Sequence, residues 1–227
     1  ANLSQMSKIG LPVPPGFIIT TEACREYWTQ GAGLLDEIWA DVCAAVARVE
    51  EETSKKFGCM QDPLLVSVRS GAPVSMPGMM DTILNLGLND ETVEALVKSS
   101  GDSRFAYDSY RRFIQMYSNV VLGVPHDLFE ARLTALKKEQ KLQFDHQVPA
   151  SGWKQLIAEY KKIILDAGKS FPSDCWDQLR LAIDAVFKSW NTPRANTYRK
   201  INGISAELGT AVNIQAMVFG NLGDDCG

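Results

Sequence analysis

Between residues 34 and 56 apolar side chains return at Leu35, Ile38, Val42, Ala45, Val46 and Val49, in steps of three and four. That period predicts an amphipathic helix. Near the other end of the chain the period falls to two. Across residues 210–219, Val212, Ile214, Ala216 and Val218 alternate with Ala211, Asn213, Gln215 and Met217, which predicts a strand. Two apolar runs rich in β-branched residues, Phe17-Ile-Ile-Thr20 and Leu64-Leu-Val-Ser-Val-Arg69, read as further strands bounded by turn residues. A short helix over residues 2–9 precedes the first of them, through the turn Gly10-Leu-Pro-Val-Pro-Pro-Gly16. A helix over residues 22–28 follows it, with Thr21 as N-cap and Glu22 placed to meet the helix dipole.

Residues 70–90 are rich in Gly, Pro, Ser and Met and hold no sustained period, so they read as a functional loop followed by a short turn. From there to about Gly168 the pattern is helical, with helices expected near 91–99, 103–122, 126–141 and 151–167. On the second of these Ala106, Tyr110, Phe113, Tyr117 and Val121 share a face. These four helices are expected to form a separate small bundle. A further helix is expected from an N-cap at Ser173 to about Trp190, and another over residues 194–201. Strands, inserted helices and then a strand again make the fold class α+β with a helical insertion.

Composition narrows the function classes. The chain has 227 residues, 45% hydrophobic and 22% charged, enough to bury a sizeable core. Its net charge of -4 recommends neither nucleic acid nor an anionic membrane as partner. No stretch approaches the roughly 20 apolar residues that cross a bilayer. The five cysteines, Cys24, Cys43, Cys59, Cys175 and Cys226, are scattered, with no paired spacing and no nearby histidines to complete a zinc set, and are expected to be free thiols.

Three segments are candidates for chemistry. In Ser67-Val-Arg-Ser-Gly-Ala72 an arginine stands where a strand gives way to a glycine-containing loop. A guanidinium there can hold phosphate oxygens bidentately, with Ser70 and loop N–H groups as further donors, or it can serve as half of a structural ion pair. Ser75-Met-Pro-Gly-Met-Met-Asp-Thr82 combines the backbone freedom of Gly78 with the hydroxyl of Thr82 and the carboxylate of Asp81; it suits a loop closing over a polyphosphate, or a turn whose methionines fill core gaps. Gln215, Met217 and Val218 fit either the edge of an adenine ring or an ordinary half-buried strand. His126 and His146 lack the surroundings of a catalytic triad and read as non-catalytic. Arg111 and Arg112 read as surface or ion-pair residues, with docking of an acidic partner domain as the alternative.

Together with Phe105-Ala-Tyr-Asp-Ser-Tyr-Arg-Arg-Phe113 and Gly209-Thr-Ala-Val-Asn-Ile-Gln215, these segments occur in the order found in pyruvate, phosphate dikinases, which the chain resembles over essentially its whole length. Phosphoenolpyruvate synthases share the Val-Arg-Ser core, but the Met-Pro-Gly-Met-Met-Asp-Thr loop favours the dikinases. The resemblance implies the first lobe of an ATP-grasp fold, formed by residues 1–88 and 175–227, with 89–174 as an inserted helical subdomain. It implies an enzyme of pyruvate metabolism whose ATP-binding part passes the β-phosphate of ATP to a histidine on a separate domain, while inorganic phosphate takes the γ-phosphate. Arg69 then binds and stabilises the triphosphate as the catalytic residue. Gly78, Met79, Met80, Asp81 and Thr82 form the covering loop, and Gln215, Met217 and Val218 hold adenine. ATP and Mg2+ are the expected cofactors, the phosphohistidine domain the expected partner, and a homodimer the expected assembly.

The family's Gly-Gly-Lys-Gly-Ala-Asn-Leu stretch is represented only by Ala1-Asn-Leu3, which puts the ATP-binding lysine before residue 1. The metal-binding carboxylates, a further glutamine, the second lobe, the phosphohistidine domain and the pyruvate barrel are expected after Gly227. The chain alone is therefore expected to be inactive. A different acceptor within the same superfamily and a non-catalytic interaction module are the alternatives. An intracellular address is expected, the cytoplasm or an organelle such as the plastid stroma.

Overall fold

The structure, a computed structural model, describes residues 2–78 and 80–220 (residues 2–4 by backbone alone). The order of elements is α1 (Asn2–Lys8), β1 (Gly16–Ile19), α2 (Thr21–Gln30), α3 (Leu34–Thr53), β2 (Lys56–Phe57), β3 (Pro63–Leu64), β4 (Val66–Gly71) and β5 (Thr82–Leu86). The helices α4 (Thr92–Ser100), α5 (Ser103–Val120), α6 (His126–Glu139) and α7 (Ala150–Asp166) follow. Then come α8 (Cys175–Ser189), α9 (Pro193–Ile201) and β6 (Ala211–Ala216). The class is α+β. Short 3-10 turns occupy Asp145–Gln147 and Ala206–Leu208.

Four strands form an antiparallel sheet in the order β1-β6-β4-β5, while β2 and β3 make a separate parallel pair. The last strand of the sequence is thus central, between β1 and β4. On one face Val68, Ile83, Val212 and Ile214 are buried against α8 and its neighbours. This burial drives the sheet together, because each strand's alternation sends one set of side chains inward. The other face is the one that matters for the site.

The long helices match their periodicity closely, but several boundaries do not. The expected strand over 210–219 stops at Ala216 because its neighbour runs out. Ala216 N donates to Pro15 O at 2.8 Å, and the prolines 14 and 15 have no N–H to return. Met217 and Val218 therefore lie past the strand's end. The expected strand over 64–69 is two short ones, β3 and β4, and β4 continues to Gly71.

The supposed loop at 70–90 contains a whole strand, β5. Its pairing with β4 carries a bulge between Val66 and Val68, opposite Asn85 in the left-handed region at φ 60. The long helix expected to reach residue 56 ends at Thr53, with Ser54 left-handed at φ 57. The N-cap of α2 is Thr20 rather than Thr21. That of α8 is Asp174 rather than Ser173, its carboxylate accepting from Trp176 N at 2.8 Å and Asp177 N at 3.0 Å.

The chain leaves the sheet at Gly87–Leu88 and returns at Pro172. Both crossings are held by Gln178 of α8, which is fully buried. Its Oε1 accepts from Gly87 N at 3.2 Å, and its Nε2 donates to Leu88 O and Pro172 O, each at 3.0 Å. Asn89 adds Nδ2 to Ser173 O at 2.9 Å. Helix α5 packs on both α7 and β5.

Among the described residues Cys24, Cys43, Cys59 and Cys175 are free thiols; Cys226 lies outside them. No helix among the described residues is long and apolar enough to cross a membrane.

Candidate functional site

The register of the sheet aligns one row of side chains across the face opposite the core. Ile18 pairs with Asn213, Asn213 with Arg69, and Arg69 with Thr82. In an antiparallel sheet, residues paired in this way point to the same side, about 4.5–5.5 Å apart at Cβ. Arg69 and Thr82 are exposed and Asn213 is half-buried. The row exists because Val68, Ile83, Val212 and Ile214, one position away on their strands, are all committed to the core.

Arg69 is exposed, and among the described residues no carboxylate lies within 4.0 Å of its guanidinium. Its reading as half of a structural ion pair is therefore not what the structure shows. Arg111 and Arg112 behave differently: Arg111 Nε meets Asp108 at 2.7 Å and its NH2 meets Asp145 at 2.9 Å, while Arg112 Nε meets Asp108 at 3.1 Å. Ser70 was a second candidate donor beside Arg69. It pairs with Val212 and so points to the opposite face; Ser67, on the Arg69 side, is buried and donates to Gln215 O, and Thr82 is the exposed hydroxyl beside Arg69.

The loop between β4 and β5 is tied down at both feet. Ser70 N donates to Asp81 O at 3.4 Å and Gly71 N to Thr210 Oγ1 at 3.3 Å. Between them Gly78 takes a positive φ of 69 with open space around it, and Met76 is buried while Met80 packs half-buried against the core. The glycine and the methionines thus serve different parts of the same loop. Met79 lies outside the described residues. Burial pushes the carboxyl of Asp81 above its ordinary range, and the positive charge of Arg194 opposes that shift.

The three residues expected around adenine are partly engaged within the chain. Gln215 Nε2 donates to Pro14 O at 3.0 Å, and Met217 N donates to Leu65 O at 2.9 Å. Val218 is 70% exposed. Met217 and Val218 wall a cleft of about 330 Å³, together with Pro15, Leu65, Leu96 and Phe219. Leu96 and Ser99 of α4 close one side of this cleft, and Phe219, which also lines it, meets Phe105 of α5 edge to face at 5.2 Å. From Asn213 to Met217 along the chain is ~13 Å at strand rise, a span on the scale of a nucleotide from its phosphates to its base. A second cleft of about 280 Å³ lies over the face itself, bordered by Ser7, Gly16, Ile18, Glu52, Asn213 and Gln215.

Asn213 is the addition the sequence reading lacked. Its position two residues before Gln215 in an alternating strand was the available signal. His126 contacts Gln115 and Glu130 on the helical side, and His146 stacks on Phe144, so neither joins this face. Among the described residues no group of three His, Cys, Asp or Glu side chains is arranged to hold a metal ion. The described residues therefore hold no ready-made metal cage on this face.

An exposed arginine on an open sheet face, a loop at its edge and an apolar cleft one nucleotide's length away define a candidate nucleotide site. Comparison with known proteins agrees with that class. The family model described as "Pyruvate phosphate dikinase, AMP/ATP-binding domain" matches residues 33–224, and the chain belongs to this family. It is 53% identical over its whole length to the chloroplastic pyruvate, phosphate dikinase of Flaveria trinervia, covering 24% of that protein. It is 52% identical to the pyruvate, phosphate dikinase of Clostridium symbiosum, covering 26%. With pyruvate, phosphate dikinase 2 of Zea mays it shares 53% identity, again over 26% of the relative. The chain spans about a quarter of the length of these relatives.

Proposed function

We propose that this chain is the ATP-binding part of a pyruvate, phosphate dikinase. In this reading residues 1–88 and 175–227 form the first lobe of an ATP-grasp domain and residues 89–174 its inserted helical subdomain. The observation that carries the reading is Arg69: an exposed guanidinium without a carboxylate partner among the described residues, on a sheet face, in a family whose model is an AMP/ATP-binding domain.

Phosphoryl transfer asks the protein mainly for positioning and charge neutralisation, with little covalent chemistry of its own. Arg69 supplies charge where the triphosphate lies, and its planar fork can hold two phosphate oxygens at once. Thr82 donates a hydroxyl on the same side, and Gly78 to Thr82 cover the phosphates and exclude water. Adenine occupies the cleft walled by Leu65, Met217 and Phe219. Because the amides of Gln215 and Met217 are already bonded, the contact left to the base edge is the backbone at Val218, with Gln215 and Met217 acting as wall and support. Magnesium, where bound, adds charge neutralisation at the phosphates; its ligands come from another part of the polypeptide.

The acceptor of the β-phosphate is a histidine of a separate domain, inorganic phosphate takes the γ-phosphate, and AMP leaves. The enzyme then passes the phosphoryl group to pyruvate and works as a homodimer. This chain alone turns nothing over, because one lobe and one arginine, with no metal cluster among the described residues, hold only part of the transition state.

The test uses the full dikinase polypeptide carrying this chain, supplied with ATP labelled at the β-phosphate and with inorganic phosphate. The reading predicts acid-labile label on a histidine. Label arriving only from the γ-position contradicts it.

A further inference from the structure

Two side-chain amides, those of Gln215 and Asn213, stand on the Arg69 face of β6, and the structure uses them differently. Gln215 is committed: its Nε2 holds the carbonyl of Pro14 at 3.0 Å. Asn213, two residues earlier, has no hydrogen bond from its side chain to any other described residue. It is half-buried, is the direct cross-strand partner of Arg69, and borders the 280 Å³ cleft over the face.

We propose that Asn213 is a phosphate-binding residue, its side-chain N–H donating to an oxygen of the β- or γ-phosphate of bound ATP beside the Arg69 guanidinium. The proposal rests on the reading of this face as the ATP site and deepens it.

The charge around the cleft sets where the anion lies. Glu52 of α3 borders it on the β1 side, whereas Arg69 stands on β4, on the far side of Asn213. A phosphate is repelled from the first and drawn to the second, which brings it over Asn213 and toward Thr82. Ile18, the other neighbour of Asn213, offers no donor, so the polar row is Asn213, Arg69, Thr82. An amide suits the middle ground of such a row. It contributes a donor without a second fixed charge, and a neutral group costs less to keep half-buried before the ligand arrives. Once ATP covers the face, a hydrogen bond to its charged oxygens is of the stronger kind. The distance along the strand places this contact at the triphosphate end, ~13 Å from Met217 at the base cleft.

The experiment compares wild type with Asn213→Asp, Asn213→Ala and Arg69→Ala in the full dikinase polypeptide, titrating each with ATP and with AMP and recording its melting temperature. Asn213→Asp keeps the shape and puts a negative charge against the phosphates. It is expected to weaken ATP about tenfold or more, and Asn213→Ala about fivefold. AMP should bind within about twofold of wild type in both, since the reciprocal groups of the β- and γ-phosphates are absent from it. Should the aspartate fail to fold, the smaller neutral alanine carries the test. If Arg69→Ala loses ATP and neither Asn213 variant does, the assignment of Asn213 is overturned and the site stands. If the Asn213 variants weaken ATP and AMP alike, Asn213 acts on the base or ribose and the phosphate contact is overturned. If wild type binds no ATP, or all three variants bind it unchanged, the ATP-site reading falls with it.

Discussion

Gln178 and Pro172 are joined through a part-buried hydrogen bond, Nε2 of the glutamine donating to the proline carbonyl at 3.0 Å. The same side chain also holds Gly87 and Leu88, so one residue ties together the two points where the chain passes between the sheet and the helices at 89–174. Gln178→Leu keeps most of the volume and leaves three backbone groups, two buried and one part-buried, without that partner. Each orphaned group costs about 1–3 kcal/mol, so a loss of about 3 kcal/mol in a denaturant titration is expected. A loss near zero means the amide's bonds are replaced by water and the clamp is not one.

Gly16 lies so close to β6 that a Cβ built on it would sit 2.5 Å from Ile214 O and 2.9 Å from Gln215 Cα. Both obstacles are backbone of the central strand, which cannot swing aside as a side chain can. Gly16→Ala should therefore push β1 away from β6 and cost about 2 kcal/mol or more. The same displacement loosens Pro14 from Gln215. Thermal unfolding of the variant, with Gly33→Ala as the comparison for a glycine with open space around it and an ordinary φ of -59, checks the direction.

Asp145 provides a pH test on the helical side. Burial alone raises its carboxyl, but Lys137 at 2.8 Å and Arg111 at 2.9 Å outweigh that and hold it below the ordinary carboxylate range. A carboxyl depressed in the folded chain contributes stability above its unfolded pKa, about 3.9, and loses it as pH falls through the folded value. Asp145→Asn should cost about 1 kcal/mol at neutral pH, discounted for partial exposure. The stabilities of variant and wild type should converge as pH falls through the folded-state value, below the ordinary carboxylate range. Urea titrations across that range check it; a gap independent of pH contradicts the pairing.

The parts of this molecule legible in its sequence are those set by local period. Helices α3 to α8 follow from spacing alone, because a long amphipathic face repeats its signal over several turns. Strand β5 does not, since five residues inside a Gly, Pro and Met-rich stretch give too short a pattern and its partner is elsewhere in the chain. The end of β6 is fixed by Pro14 and Pro15, about two hundred residues away in sequence.

The site divides in the same way. Arg69 is visible as an arginine at a strand's end, and its motif is recognisable. Which hydroxyl stands beside it requires the register: Ser70, its neighbour in sequence, faces away, while Thr82 and Asn213 from other strands face it. Gln215 is conspicuous in the sequence for its amide, which the fold spends on Pro14.

The central claim is that Arg69 neutralises the triphosphate during transfer to histidine, and one rate tests it. In a single turnover of the full dikinase polypeptide with β-labelled ATP and inorganic phosphate, Arg69→Ala is expected to slow histidine labelling about 10²–10³-fold, the loss of about 2.7–4 kcal/mol that removing one charge-stabilising donor brings. Its melting temperature should stay close to that of wild type, because among the described residues the side chain is exposed and pairs with no carboxylate. Labelling at the wild-type rate by a folded Arg69→Ala protein would contradict the account.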